Sequence, residues 1–244
     1  MKILVINPNT TESMTAAIGE SARKYASPGT EIIALTPKYG ADGIDCNFES
    51  FISAVAVMDL VATYQGPYDA IVMAGFGEHG REGVQELVTV PVIDMAEASA
   101  YIAQMVGRKY SVVTTLDRSI ASIEDRLILA GLFTRCASVR ATGMGTLELD
   151  EDPERALKAI VEQARLAVTQ DRAEVICLGC GGMAGLEEAI AREVGVPVVD
   201  GVGAAVRLAE AVHGLGLGTS KVGTHAFPEA KKIIGWPISQ HLTQ

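Results

Sequence analysis

Two cysteines separated by two residues, Cys177 and Cys180, stand at the end of an apolar run in the second half of the chain. A C-x-x-C pair is typical of redox centres or of half a zinc site, but no second C-x-x-C and no matching histidine pair accompanies it. Cys177 lies inside the apolar run and is expected to pack in the core. Cys180 opens a Gly-Gly turn, where free backbone N–H groups favour a thiolate, although a buried inert cysteine is the common alternative. The sequence predicts one thiol available for chemistry, with three structural cysteines: Cys46, Cys136 and Cys177.

A histidine and a glutamate follow another apolar run, in the turn that begins at Gly75 and reads Gly-Phe-Gly-Glu-His-Gly. Histidine titrates near neutrality and can exchange protons with a substrate carbon or heteroatom, which makes His79 a candidate catalytic residue. The alternative is an exposed loop histidine with local hydrogen bonds. Glu78 is either a ligand contact or a cap for the N-terminus of a helix over residues 81–87.

The other candidate binding groups are backbone amides and short polar side chains at strand ends. Paired Phe-Gly and Gly-Gly amides can aim N–H groups at a carbonyl or carboxylate oxygen. The Asn-Pro-Asn-Thr segment after the first strand is equally typical of a turn and a helix N-cap. Nucleotide binding is excluded, because neither a Gly-Lys-Ser/Thr sequence nor a dinucleotide G-x-G-x-x-G follows the first strand. Beside Cys180 and His79, the candidate substrate-binding residues are Asn7, Thr10, Gly75, Phe76, Gly77, Glu78, Thr114, Thr115, Gly181 and Gly182, and no metal ligands are predicted.

The two halves of the chain repeat each other. Cys180 lies 105 residues after Gly75, Pro197 lies 106 residues after Pro91, and the first strands of the two halves are offset by 108 residues. Three collinear anchors at nearly constant spacing indicate two similar α/β halves related by a pseudo-twofold. Equivalent strand ends then face each other across a cleft, with Cys180 on one side and Gly75 on the other.

Short runs rich in valine and isoleucine alternate with helical patterns along the chain. This alternation indicates parallel sheets covered on both faces, and such sheets bind ligands beyond the carboxyl ends of their strands. We expect an α/β protein with two Rossmann-like lobes, residues 1–105 with 205–244 and residues 106–204, and an active site in the cleft between them. The predicted strands are residues 2–7, 30–36, 70–74, 92–94, 110–114, 137–141, 175–179 and 198–200, and the predicted helices are residues 12–25, 48–64, 81–87, 95–106, 119–130, 153–170, 186–193 and 204–215.

Composition narrows the class of protein. The 244 residues are 48% hydrophobic, which is enough for a packed core, yet no apolar stretch approaches the roughly 20 residues that span a bilayer. The chain enters a strand at once, so no signal peptide is expected. A net charge of −10 argues against nucleic acid and anionic membranes as partners, and four cysteines do not make a disulfide framework. We expect a cytoplasmic protein that acts on a small molecule.

Three segments together resemble one known family. The opening residues 3–11, the Leu-Gly-Cys-Gly-Gly-Met turn at 178–183 and the Val-Pro-Val-Val-Asp segment at 196–200 are similar to the Asp/Glu/hydantoin racemase superfamily. The nearest branch is that of the hydantoin and allantoin racemases, and the segments 215–221 and 226–229 resemble allantoin racemases in particular. The similarity runs the whole length of the chain.

The resemblance implies an isomerase, a homo-oligomer that needs neither cofactor nor metal and holds its substrate between two cysteines. One thiolate removes the proton at the stereocentre, and the other thiol returns a proton to the opposite face. Cys180 matches the second cysteine of the family. The implied substrate is a small cyclic ureide, a hydantoin or allantoin, whose acidic C–H lies next to a carbonyl.

The first family cysteine is missing, because the usual Cys-Phe-Gly-Asp-Pro-Gly begins here with Gly75. The cysteine was replaced by mutation, or His79 or Glu78 performs its task, or the enzyme works from one side only. Arylmalonate decarboxylases are of that last kind, with one cysteine and a glycine at the first position. A silent ligand-binding homologue is a further alternative. The sequence slightly favours an uncompensated loss, since a side chain four residues beyond Gly75 must fold back to reach the same point.

Overall fold

In the computed structural model, which describes residues 1–234, the chain folds into eight strands and nine α-helices. The strands are β1 (Lys2–Ile6), β2 (Glu31–Leu35), β3 (Ala70–Met73), β4 (Val92–Asp94), β5 (Tyr110–Thr114), β6 (Cys136–Ala141), β7 (Val175–Leu178) and β8 (Val198–Val199). The helices are α1 (Glu12–Tyr25), α2 (Asn47–Thr63), α3 (Arg81–Leu87), α4 (Met95–Val106), α5 (Ile120–Leu129), α6 (Thr146–Glu151), α7 (Pro153–Thr169), α8 (Glu187–Val194) and α9 (Gly201–Gly214). Trp236, a predicted packing or subunit contact, lies outside the described residues.

The strands form two four-stranded parallel sheets with the same internal order. The first sheet runs β2-β1-β3-β4 and the second runs β6-β5-β7-β8. Each half of the chain therefore builds the same arrangement, and the α/β fold with two repeated parallel sheets that the sequence predicted is confirmed. The carboxyl ends of β1, β3, β5 and β7 are the strand ends that carry the predicted site residues.

Both sheets are buried on their two faces, which explains why their central strands read as unbroken apolar runs. Residues 3–6 of β1 and 70–73 of β3 are almost inaccessible to solvent, as is β7. Helix α9 packs against α1, α4 and β3, while α4 also contacts β5, β7 and β8. Because α4 touches both sheets, the division of the chain into lobes at the predicted residues stays a prediction.

The sequence-based assignment misses one helix and the start of another. Helix α6 was not predicted, because it is a short acidic segment; its Glu148 carboxylate accepts a hydrogen bond from the Gly145 N–H at 2.7 Å and so closes the first turn. Helix α9 begins three residues before its predicted start despite two early glycines, because the Asp200 carboxylate accepts from the N–H groups of residues 202 and 203. Within residues 1–234, every helix is too short or too polar to cross a bilayer.

Candidate active site

A cavity of about 360 Å³ lies where the carboxyl ends of the two sheets meet. Its walls come from the loops after β1, β3, β5 and β7, from the first turn of α2 and from the start of α5. Of the predicted site residues, those that line it are Asn7, Gly75, Phe76, Gly77, Glu78, His79, Thr114, Thr115, Cys180, Gly181 and Gly182. The structure thus brings both halves of the repeat to one cleft.

Thr10 is the predicted site residue that does not line the cavity. Its backbone N–H donates to the Ala41 carbonyl at 2.9 Å, which holds this residue against the loop after β2. Asn7 lines the cavity, but its side-chain amide donates to Asn9, to the Thr11 carbonyl and to the Thr15 hydroxyl. The turn interpretation of the Asn-Pro-Asn-Thr segment therefore accounts for the Asn7 donors.

The two sheets approach closely beside Cys180. A Cβ atom at Gly181 would lie 2.7 Å from the Ala74 carbonyl oxygen at the end of β3. Only glycine permits that approach of two backbones. The Cys180 turn consequently lies directly against the strand end that carries Gly75.

The Cys180 side chain is partly buried in the cavity wall, and its Sγ accepts a hydrogen bond from the Gly182 N–H at 3.4 Å. Burial raises the pKa of the Cys180 thiol to about 11, although the Gly182 N–H and the Thr146 hydroxyl act in the opposite direction. Burial therefore acts against the thiolate that the glycine-rich turn predicts and favours a neutral thiol, which is a proton donor; the role of Cys180 stays a prediction.

The other cysteines lie apart from this position. Cys177 is fully buried in β7, and burial raises its pKa. Cys136 is partly buried, and burial raises its pKa to about 12. Cys46 was interpreted as structural, but it lines the cavity as the residue before α2. The Glu49 carboxylate fixes it there by accepting from its backbone N–H at 3.0 Å.

The imidazole of His79 folds back over Gly75. A Cβ atom at Gly75 would lie 2.9 Å from His79 Nε2 and would overlap the His79 Cδ2 atom. The ring thus occupies the space that a side chain at position 75 would need. A side chain four residues beyond Gly75 must fold back to reach this point, and the His79 ring does fold back; whether His79 replaces the missing cysteine stays a prediction.

A tight turn produces this fold-back. Gly80 has a φ of +91°, a left-handed conformation that favours glycine, and its N–H donates to Glu78 Oε1 at 2.8 Å. The Glu78 carboxylate thus bonds to the residue before α3 but caps none of the N–H groups of the helix itself, so the predicted helix cap is absent; Glu78 does line the cavity, where a ligand contact stays a prediction. The pKa of Glu78 is raised to about 7. Burial is the largest cause, and the neighbouring Glu82 carboxylate is the next.

Hydrogen bonding sets which ring nitrogen of His79 carries the proton. His79 Nδ1 lies 3.1 Å from the Ser50 hydroxyl oxygen, and that hydroxyl donates its own proton to the Glu78 carbonyl. A hydroxyl has one proton to give, so Ser50 accepts from Nδ1–H and His79 Nε2 keeps a free lone pair. Burial, together with the positive charge of Arg126, lowers the pKa of His79 to about 4, which leaves a neutral base at pH 7.

Sequence reasoning missed the residues that complete the cavity, because nothing in their spacing links them to it. Phe48 and Phe51 on α2 are exposed at its mouth, and within the described chain Arg118 is the one permanent cation on its wall. Asp45 and Thr146 tie the two halves together, since Asp45 Oδ1 accepts from the Thr146 hydroxyl at 2.8 Å.

Among residues 1–234, histidine, cysteine, aspartate and glutamate side chains do not gather in groups of three or more around a common point. The independence from metals and cofactors, the homo-oligomer and the cytoplasmic location stay predictions.

Comparisons with known proteins agree on one family. The family model for Asp/Glu/hydantoin racemases matches residues 3–209. A hydantoin racemase of Pseudomonas sp. (strain NS671) is 39% identical over 96% of this chain and 95% of its own length. The crystal structure of the allantoin racemase AllR from Pseudomonas fluorescens has 62% identity and a TM-score of 0.94, covering 96% of this chain and all of that one. The allantoin racemase from Klebsiella pneumoniae has 40% identity and a TM-score of 0.95, covering 100% and 99%.

Proposed function

The chain belongs to the Asp/Glu/hydantoin racemase family, and from that premise we propose that it inverts the acidic C5 centre of a hydantoin or allantoin by proton transfer between His79 and Cys180. The observation that carries the proposal is the His79 imidazole in the space of the side chain that Gly75 lacks. The site then has an acid/base group on each face of the substrate, which inversion at carbon requires.

The protonation states that burial favours, a neutral imidazole and a neutral thiol, define the first direction of the reaction. Neutral His79 Nε2 takes the C5 proton, so the C–H bond breaks and its electron pair delocalises onto the adjacent carbonyl oxygen as an enolate. The Cys180 thiol then gives its proton to the opposite face of C5. The products are the other enantiomer, an imidazolium and a thiolate, and this charged pair runs the reverse reaction.

The glycine-rich turns supply donors for the enolate oxygen. Among the described residues, the backbone N–H groups of Phe76 and Gly77 have no protein acceptor. Preorganised N–H groups that face developing negative charge stabilise it strongly, because they need not reorient during the reaction. A Cβ atom at Gly77 would lie 3.2 Å from His79 Nε2, so this turn runs beside the ring, where we place the substrate carbonyl next to C5.

The test uses single enantiomers of allantoin and of 5-substituted hydantoins. We expect the optical rotation to decay to zero, and in deuterated water the C5 proton to be lost from both enantiomers. Neither racemisation nor exchange with any of these ureides would indicate a silent ligand-binding protein. Release of carbon dioxide from an arylmalonate, without racemisation of ureides, would indicate one-sided decarboxylase chemistry.

Restoring a cysteine at position 75 tests whether the His79 ring has taken that place. Gly75→Cys alone is expected to lower racemisation by roughly tenfold or more, because the new side chain displaces the imidazole that acts as base. Gly75 has no positive φ, and its Cβ would lie 2.6 Å from Pro8 Cγ, so the backbone accepts a side chain once the neighbours shift.

The matched variants are His79→Ala and the double variant Gly75→Cys with His79→Ala. The double variant makes room for the thiol and is expected to racemise faster than either single variant. A Gly75→Cys protein as active as wild type, or a double variant no better than His79→Ala, would contradict the shared position.

A further inference from the structure

Arg126 is a buried cation that belongs to one half of the molecule and pairs with the other. It lies on α5, beside the second sheet, with 5% of its side chain exposed. Its Nη1 atom lies 3.0 Å from a Glu78 oxygen and 2.7 Å from a Glu82 oxygen, and its Nη2 atom lies 3.0 Å from Glu97. Asp94, the N-cap of α4, is 3.9 Å away. All four carboxylates come from the half that carries His79.

One of these contacts leads directly to the catalytic ring. The Glu78 carboxylate bridges two groups, with one oxygen on Arg126 and the other on the Gly80 N–H. The carbonyl of Glu78 accepts from Ser50, whose oxygen holds His79 Nδ1. The residues on both sides of His79 are thus fixed by a single carboxylate, and the other half of the molecule fixes that carboxylate.

We propose that Arg126 is a positioning residue for the proposed racemisation, which holds the His79 imidazole over Gly75 from across the cleft through the Glu78 carboxylate. This inference rests on the proposed function and adds a residue that touches neither substrate nor reacting atoms. A surface ion pair adds little to a structure, but a buried arginine whose Nη1 donates to two separate acids, Glu78 and Glu82, fixes geometry as well as charge.

The position of the His79 imidazole also depends on the packing of the two halves of the chain against each other. Arg126 approaches the Glu78 turn only while α5 stays close enough to α3 and α4 for the ion pairs with Glu82 and Glu97. If the halves part, the Glu78 carboxylate loses its partner, and the turn loses the contact that aims Nε2 into the cavity. Cys180 has no such dependence, because its Sγ contact is the Gly182 N–H of its own turn.

The test compares Arg126→Met with Arg81→Met. Arg81 is the matched control, because it pairs with Glu82 and Glu97 in the same cluster but does not contact Glu78. With single enantiomers of the ureide that wild type racemises, both inversion and total exchange of the C5 proton are measured in deuterated water. We expect Arg126→Met to lower the ratio of inversion to exchange at least roughly tenfold, since only the His79 face is impaired, and Arg81→Met to leave the ratio unchanged.

A purely structural role for Arg126 would move inversion and exchange together, and an unchanged ratio in a folded Arg126→Met protein would overturn the proposal. If that variant does not fold, Arg126→Lys takes its place, because an ammonium group keeps the charge but lacks the planar guanidinium whose Nη1 donates to Glu78 and Glu82. Nitrogen NMR of the His79 ring is independent of activity: the Nδ1–H tautomer should dominate in wild type and lose its dominance in the variant. Wild type without racemisation would contradict the proposed function, whereas wild-type racemisation with an unmoved ratio would contradict this inference alone.

Discussion

Replacing Cys180 by serine is expected to lower kcat for racemisation by roughly two to four orders of magnitude, the usual contribution of a general acid or base. A serine hydroxyl is a far weaker acid and a far less available base than a thiol, so it neither gives nor takes the C5 proton at a useful rate. The fold should persist, because the Cys180 Sγ makes one backbone contact at 3.4 Å. Polarimetry gives kcat, while calorimetric ligand binding and thermal unfolding check that the site remains.

Cys177→Ser is the matched control for that change. Cys177 lies three residues earlier and is fully buried in β7, so serine there places a hydroxyl in an apolar core. The free energy of unfolding should fall by about 1–3 kcal/mol while kcat stays near the wild-type value. Comparable activity of Cys180→Ser would remove Cys180 from the mechanism, and lost turnover with an unchanged Tm in Cys177→Ser would give Cys177 a role beyond packing.

Replacing His79 by glutamine is expected to abolish inversion while sparing exchange on the Cys180 face. Glutamine fills most of the imidazole space over Gly75 but cannot accept the C5 proton, so inversion should fall by at least roughly a hundredfold. Exchange with retention remains, because the Cys180 thiolate can remove and return a proton on its own side. It should grow with pH, since burial raises the pKa of that thiol to about 11.

The pH profile distinguishes the two groups in wild type. The pKa of His79 is lowered to about 4 and that of Cys180 is raised to about 11, so kcat/KM should form a plateau between these two pH values. It should fall below the lower pH because the imidazole is protonated, and above the higher pH because the thiol ionises. In His79→Gln, the remaining exchange on the Cys180 face should rise with pH instead of forming this plateau. His213→Gln, at an exposed position on α9, is the control.

A protein that racemises fully after both His79 and Glu78 are replaced would indicate water or another group as the base.

The repeated sheets could be predicted because strands that are buried on both faces require unbroken apolar runs in the sequence. The strands β4 and β5 and the helices α1, α3 and α4 have the predicted bounds, and most other ends differ by a residue. The strand ends meet at one cleft because strands and helices alternate along the chain. Those features depend on local pattern and on parallel topology alone.

The parts of the site that depend on distant residues could not be predicted. The position of His79 needs the left-handed Gly80, the Ser50 hydroxyl on α2 and an arginine 47 positions further along the chain. The state of Cys180 depends on how deeply the cavity is enclosed, which its glycine-rich turn does not reveal. In each case the deciding contact joins segments whose spacing carries no pattern.

The pKa of His79 is lowered and that of Cys180 is raised. The proposed enzyme therefore ends each turnover with protonation states that differ from those with which it began. After each inversion the free site holds its protons on the wrong groups for a second molecule of the same hand, and water must reset it through the mouth between α2 and α5. When substrate is abundant, the product enantiomer rebinds before that reset and recovers the proton that the first molecule gave up. Saturation then drives the site back and forth between its two protonation states, and the exchange of protons with solvent becomes a step of each net turnover.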